Sequence, residues 1–408
     1  MAKQPANSKG STNYQVIIFM RKIIIILIGI IAMQNFAFAK VKNKYLALSK
    51  EMLELIDKHY RSEEQPLLFN ETYPFNPQNM ASYTISQDTI TKKCVAYLWP
   101  TSGIFSGVVA LLEQTGDKKY KRILNEKILP GLTMYLDTIR QPTCYQSYLT
   151  SEGSSDRFYD DNIWLVIDFA EAFRTTKDKK YLKQAELTWK FVISGWDEKL
   201  NGGIYWCEQA KKSKNTCSNA PAVVAAAKLY EVTKNEYYLD WAKKIYSWTK
   251  LNLQDSTDFL YFDNINLAGK IDRRKFAYNS GQMLQGACLL YKITGNTAYL
   301  NEARDIAQSA IRFYSKEIER DCITYRVFHN NDPWFITVML RGYFELYHID
   351  KNQEYVNFIK SNMDYLMKYA RYENGLFYKD WTGKNKETYK WLLNQACIVE
   401  LSAKLSGL

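Results

Sequence analysis

Two consecutive aspartates, Asp160 and Asp161, open an apolar segment that runs YDDNIW and on to Phe173. Adjacent carboxylates at a shielded site repel each other, which drives their pKa values apart, so one stays ionised while the other keeps its proton. Glycoside hydrolysis needs that pair: a carboxylate to attack or stabilise the anomeric centre, and an acid to protonate the leaving oxygen. On an ordinary surface helix the same two acids would only complement the positive end of the helix dipole. The two readings part on whether the helix faces a cavity.

Other segments share this mixture of aromatic, amide and acid. They read GGIYW (Gly202 to Trp206), KNTCSNAPA (Lys214 to Ala222), YNSGQ (Tyr278 to Gln282), DPWF (Asp332 to Phe335) and KWLLNQ (Lys390 to Gln395). Aromatic residues make up 15% of the chain, and most tyrosines are accounted for by core packing. Trp206 and Trp334 are better read as flat platforms for sugar rings, which present apolar C–H faces and polar rims. For Trp99 and Trp391 a platform and a core position fit equally well.

The elements that must position these residues show as an internal repeat, which decides a fold before any single motif does. Tyr120, Tyr181, Tyr238, Tyr299 and Tyr355 recur on the same short turn, as in AFRTTKDKKY and LYKITGNTAY, at intervals of roughly 60 residues. An apolar helix precedes each turn and an amphipathic one follows it, the pattern of a buried inner helix covered by an outer one. Thr or Asp, Gly or Lys, then Asp or Asn supply the caps between them. The C-terminal LSAKLSG lines up with LLYKITG and then stops, while the run from Tyr45 to Tyr60 supplies an outer helix without an inner one. A sixth hairpin shared by the two ends implies a closed ring, an all-α (α/α)6 barrel, since an open solenoid would need capping repeats. The returns from outer to inner helix are long, and long loops in a compact domain are usually functional. They gather at the N-terminal ends of the inner helices, around the mouth of the central cavity. At that mouth the aspartate pair reads as catalytic.

Residues 40–408 read as a single domain, with no Pro/Gly/Ser-rich linker between repeats. Residues 1–39 read as a signal peptide with an upstream extension. Met20-Arg21-Lys22, the apolar run from Ile23 to Ala32 and Ala37-Phe38-Ala39 form a charged region, an apolar region and a cleavage site, with Met20 the expected start. An uncleaved membrane anchor is the alternative, for which the apolar run is short. Export to a periplasm or beyond is expected, with no stable membrane insertion after cleavage. The net charge is +11, but its lysines lie mostly on outer helices and turns, and no nucleic-acid-binding module is visible. The chain is expected to act as a monomer. Seven cysteines include no C-x-x-C pair and three histidines do not cluster with them, so no zinc site is expected. Cys207 and Cys217 share one long loop and could pair in an oxidising compartment.

On YDDNIW, GGIYW, KNTCSNAPA and YNSGQ, the chain resembles glycoside hydrolase family 76, the endo-acting α-1,6-mannanases, over essentially all of residues 40–408. The resemblance implies the (α/α)6 barrel, no obligatory metal or other cofactor, and hydrolysis of α-1,6-linked mannan with retention of configuration. It makes Asp160 the nucleophile and Asp161 the general acid/base. It also places Asn162, Lys214, Asn215, Asn219, Tyr278, Asn279 and Gln282 at the substrate groove. Another (α/α)6 carbohydrate enzyme is the nearest alternative: an unsaturated uronyl hydrolase would use Arg157 or Arg273 to grip a carboxylate. Epimerases of this shape need cavity histidines, which three scattered ones do not supply. A glycan-binding protein without activity on the same scaffold is the alternative from another class.

Overall fold

A computed structural model describes Met1 and residues 44–79, 85, 93–329 and 331–408. The expected signal peptide therefore lies outside the described residues, Met1 apart. Helix α1 covers residues 44–60. The first full hairpin joins α2 (Leu98–Thr115) to an outer helix in two pieces, α3 (Lys118–Ile123) and α4 (Leu129–Thr133), linked by a π-helical turn ahead of Pro130. Regular hairpins follow: α5 (Tyr159–Thr176) with α6 (Lys179–Ser194), and α7 (Thr216–Thr233) with α8 (Glu236–Leu253). Then come α9 (Ala277–Thr294) with α10 (Thr297–Tyr314), α11 (Pro333–Asp350) with α12 (Gln353–Tyr369), and α13 (Leu392–Ser406) alone.

The repeated turn has one geometry throughout. Each inner helix but α13 ends on a left-handed residue, Gly116, Lys177, Lys234, Gly295 or Lys351, with φ from 57° to 70°. Its backbone N–H reaches back to the last turn, the usual left-handed helix stop. The next residue, Asp117, Asp178, Asn235, Asn296 or Asn352, accepts a backbone N–H and starts the outer helix. Turn chemistry alone therefore sets hairpins of constant shape, and the landmark tyrosine packs just after each cap.

Inner helices α2, α5, α7, α9, α11 and α13 each pack on the next, and α13 packs on α2, so the ring is closed. Helix α1 takes the outer position over α13, where Ser49 Oγ donates to Val399 O at 2.7 Å. The sixth hairpin is thus assembled from the two ends of the described chain. Close approach of α9 and α11 depends on Gly281, where an added Cβ would fall 2.2 Å from Met339 Cα.

The returns are more ordered than an all-helical reading anticipates, because each long connection must satisfy its own backbone polar groups. Strand β1 (Thr72–Tyr73) pairs with β9 (Lys390–Trp391), and β2 (Leu136–Asp137) with β3 (Cys144–Tyr145). Strands β4 (Ser213–Asn215), β5 (Phe262–Asn266) and β6 (Ile271–Lys275) form a three-stranded antiparallel sheet, and β7 (Ser315–Arg320) pairs with β8 (Ile323–Phe328). Among the described residues no helix is long and apolar enough to cross a membrane.

Candidate active site

The two mouths of the barrel differ in kind. The C-terminal halves of all six inner helices line a hollow of about 690 Å³, filled with paired charges. Arg341 grips Glu400 with two bonds of 2.8 and 2.7 Å, Lys228 pairs with Glu171, and Arg174 with Glu113. At the N-terminal ends lies a second cavity, of about 570 Å³, walled by rings, amides and three acids. This is the mouth over which the long returns gather.

Asp160 and Asp161 both line that cavity, in the first turn of α5. Their placement is fixed from the preceding return. Phe158 bridges to Cys207, Glu208 N donates to Arg157 O, and Tyr159 N donates to Trp206 O at 2.9 Å. This pairing lays Trp206 beside the helix start, and its indole Nε1 donates to Asp160 Oδ2 at 3.0 Å. The Asp161 N–H donates to Asp160 Oδ1 at 3.1 Å, and Cys217 lines the same cavity.

The two carboxyls are therefore unequal. Burial pushes Asp160 up to about 6, and the N–H donors around it, which favour the ionised form, keep it from rising further. Asp161 is raised well above the carboxylate range, first by burial and then by the charge of Asp160. With Asp161 raised the further, there is a pH range in which Asp160 is a carboxylate and its neighbour an acid.

Around the pair stand Trp164, Trp206, Tyr278, Trp334 and Phe335, with Trp99 beside them. Trp334 meets Trp99 and Trp164 edge-on at 5.2 and 5.0 Å, and Tyr278 lies against Phe335 at 4.1 Å. Trp391 lies edge-on to Trp99 rather than on the wall, its Nε1 donating to Glu71. Asn215 is on the wall, accepting from Ser213 Oγ at 2.6 Å.

Several residues that the sequence places at the groove sit behind it. Asn162 is fully buried, accepting Tyr145 N at 2.9 Å and donating to Tyr145 O and Phe158 O. Asn219 treats Ile204 in the same way, and Gln395 treats Phe377 likewise. These residues, with Ser280, which accepts Tyr261 N, hold the fourth position of four inner helices. The repeat thus carries a polar clamp that acts as a strand partner for the return above it. Lys214 is fully buried as well, donating to Asp197 Oδ1, Asp197 O and Lys199 O at 2.6 to 3.2 Å. Gln282 donates to Gln285 inside the ring, and Asn279 is buried beside Asp263. None of these five lines the cavity. Their polarity reads as ligand chemistry in sequence because a backbone clamp and a sugar ligand use the same amides.

Asp263, Arg274 and Cys217 also stand on the wall, where the sequence motifs do not place them. Asp263 on β5 is buried, accepts from Asn264 Nδ2 at 2.9 Å and faces Arg274 at 3.4 Å. An acid flanked by aromatics in YFDN was the available signal. Cys207 and Cys217, for which the sequence leaves pairing open, are free thiols: Cys207 turns to Gln209, and Cys217 lines the cavity. Arg157 is buried in a bidentate pair with Glu208 at 2.6 Å, and Arg273 lies over the Phe262 ring, so neither lines the cavity for an anionic sugar. Among the described residues no group of three His, Cys, Asp or Glu could hold a metal ion.

A family model described as glycosyl hydrolase family 76 matches residues 73–406. The chain belongs to this family of glycoside hydrolases. Its fold is similar to that of the family 76 mannosidase Bt3792 of Bacteroides thetaiotaomicron, at 30% identity and a TM-score of 0.81, covering 89% of this chain and 98% of that one. It is also similar to an α-1,6-mannanase of Salegentibacter sp., at 25% identity and a TM-score of 0.71, covering 88% and 98%. Mannan endo-1,6-α-mannosidase DCW1 of Candida albicans is 29% identical over 192 residues, 43% of this chain and 41% of that one. Its namesake in Saccharomyces cerevisiae is 26% identical over 180 residues, 40% and 39%. The chain thus spans less than half the length of these two curated relatives.

Proposed function

We propose that this chain is a retaining endo-α-1,6-mannanase in which Asp160 is the nucleophile and Asp161 the general acid/base. The observation that carries the reading is the unequal pair at the aromatic mouth: two N–H donors converge on Asp160, and Asp161 stands beside it with its proton retained. The names of the Salegentibacter, Candida and Saccharomyces relatives support α-1,6-mannan as the substrate.

In the first step Asp160 attacks the anomeric carbon while Asp161 gives its proton to the departing glycosidic oxygen. The loss of that proton leaves Asp161 a base, which takes one from water as the water displaces Asp160 from the glycosyl ester. Two inversions return the starting configuration. Double displacement calls for carboxyls about 5–5.5 Å apart, against roughly 6.5–9.5 Å for a single displacement. Trp206, Trp334, Tyr278 and Asn215 are the wall residues proposed to contact sugar. Residues 1–39 are proposed as an export signal, with a mannan outside the cytoplasm as the target.

The test is to incubate the purified protein with unbranched α-1,6-mannan and with the branched polymer, size the products and follow the first anomer by NMR. Short oligosaccharides released as the α-anomer are expected. A β-anomer would overturn the double displacement, and no release from either polymer would overturn the activity.

A further inference from the structure

Glu71 takes no part in the chemistry above, yet it is fully buried beside the N-terminal ends of α2 and α13. An acid in that position is costly unless it is hydrogen-bonded, and here both oxygens accept. Oε2 takes the N–H of Tyr97, the residue before α2, at 3.0 Å, and Oε1 takes the indole Nε1–H of Trp391, the residue before α13, at 3.1 Å. Tyr97 has no side-chain cap of its own to offer α2, so the carboxylate serves one of the open N–H groups of that helix start. The Glu71 carbonyl accepts Leu392 N at 2.8 Å, and the next residues, Thr72 and Tyr73, pair with Trp391 and Lys390. One residue thus joins the two helices at which the ring closes. Its reach extends to the cavity. Trp391 stands edge-on to Trp99, with centroids 5.2 Å apart and planes at 82°. Trp99 is on the cavity wall, where it meets Trp334 at 5.2 Å and stacks on Phe335 at 6.2 Å.

We propose that Glu71 is a positioning residue for substrate binding: its carboxylate sets the angle at which the Trp99 ring meets a sugar. It does so from two sides, through the backbone at Tyr97, two residues before Trp99, and through the Trp391 indole packed against the ring. Aromatic pairs in edge-on contact are satisfied over a range of centroid distances, so such contacts alone leave the ring its freedom. Two hydrogen bonds to one buried carboxylate remove it. These bonds run to the wall and not to the aspartate pair, so the effect falls on sugar binding. The proposal rests on the reading of this cavity as the mannan site.

Kinetics and NMR test it. On an α-1,6-mannooligosaccharide the KM of E71Q is expected to rise about tenfold, because glutamine keeps one acceptor and turns an N–H toward the other donor. Its kcat should stay within about twofold of wild type, the sign that binding alone is weakened. W391F keeps a ring and loses the N–H, and should raise KM as well. In W391F a glutamine can serve Tyr97 without conflict, so E71Q/W391F should raise KM by less than the product of the single effects. In the 1H–15N spectrum the Trp391 indole N–H, identified by its loss in W391F, is expected to move in E71Q. An unchanged KM in E71Q, a loss carried by kcat, effects that multiply in the double variant, or an unmoved Trp391 signal would each overturn the proposal. If E71Q does not fold, W391F decides alone, and an unchanged KM there overturns it. A wild-type protein inactive on mannan defeats the functional reading instead, and the Trp391 signal still decides the contact.

Discussion

The indole Nε1 of Trp206 lies 3.0 Å from Asp160 Oδ2, so a ring delivered by one return loop holds the carboxylate that opens the neighbouring hairpin. A hydrogen bond to a charged group contributes about 1.5–3 kcal/mol. The variant W206F keeps a ring and loses the N–H. Its kcat/KM on α-1,6-mannan is expected to fall roughly 10- to 100-fold, as that energy converts to rate. Wild-type kcat/KM in W206F would show that the bond does nothing for Asp160.

The aspartates separate by leaving group. D161N lacks the acid, so natural mannan is expected to turn over about 10²–10⁴-fold more slowly. An aryl mannoside whose leaving group departs without a proton should recover most of the first step in D161N. D160N has no nucleophile and is expected to fail on both substrates. Steady-state rates on the two substrates check this, and equal losses in D161N would remove Asp161 from the acid role.

The pH profile follows from the same pair. In the proposed mechanism Asp160 works ionised and Asp161 protonated, so activity is expected to rise through the Asp160 value of about 6. Asp161 works protonated, and its group is raised further, so activity falls again at higher pH. Initial rates from pH 4 to pH 9 should therefore trace a bell with its acidic limb near 6. A maximum well below 5 would contradict the assignment.

Stability should move in the opposite direction to activity when Asp161 is replaced. The folded-state pKa of Asp161 lies above its unfolded value, so the native chain binds the extra proton. Its contribution to stability is thus full below the unfolded value and is lost as pH rises through the folded one. D161N removes that loss, and thermal unfolding at pH 8 should shift upward by about 1–3 °C relative to wild type. At pH 4 the difference should shrink. An unchanged gap between the two pH values would count against a raised Asp161.

The ring was legible in sequence because its determinants are local. Asp117, Asp178, Asn235, Asn296 and Asn352 each cap a helix directly after a left-handed stop, and the spacing of such turns can be read from one chain. The aspartate pair was legible for the same reason, since both acids sit in one helical turn. The rest depends on contacts distant in sequence. Asn162 and Asn219 look like groove ligands until their partners, Tyr145 and Ile204, are known. Lys214 looks like a ligand for substrate until Asp197 closes over it. Conversely, nothing near Asp263 in the chain marks it as a neighbour of Cys217, because β5 reaches the cavity only through the sheet it forms with β4 and β6.

The hairpin that unites residues 44–60 with 392–406 leaves the molecule without a privileged seam. Gly407 follows α13 where Gly295 follows α9, and residue 44 begins the outer helix that would come next. A short peptide joining the two should restore a turn of the kind found five times elsewhere, and new ends could then be opened at Gly116 or Gly295. Circular permutation is tolerated where ends lie close together at a surface. In such rearranged chains the rim that carries Asp160 and Asp161, on the opposite face from every one of these turns, should be left as it is.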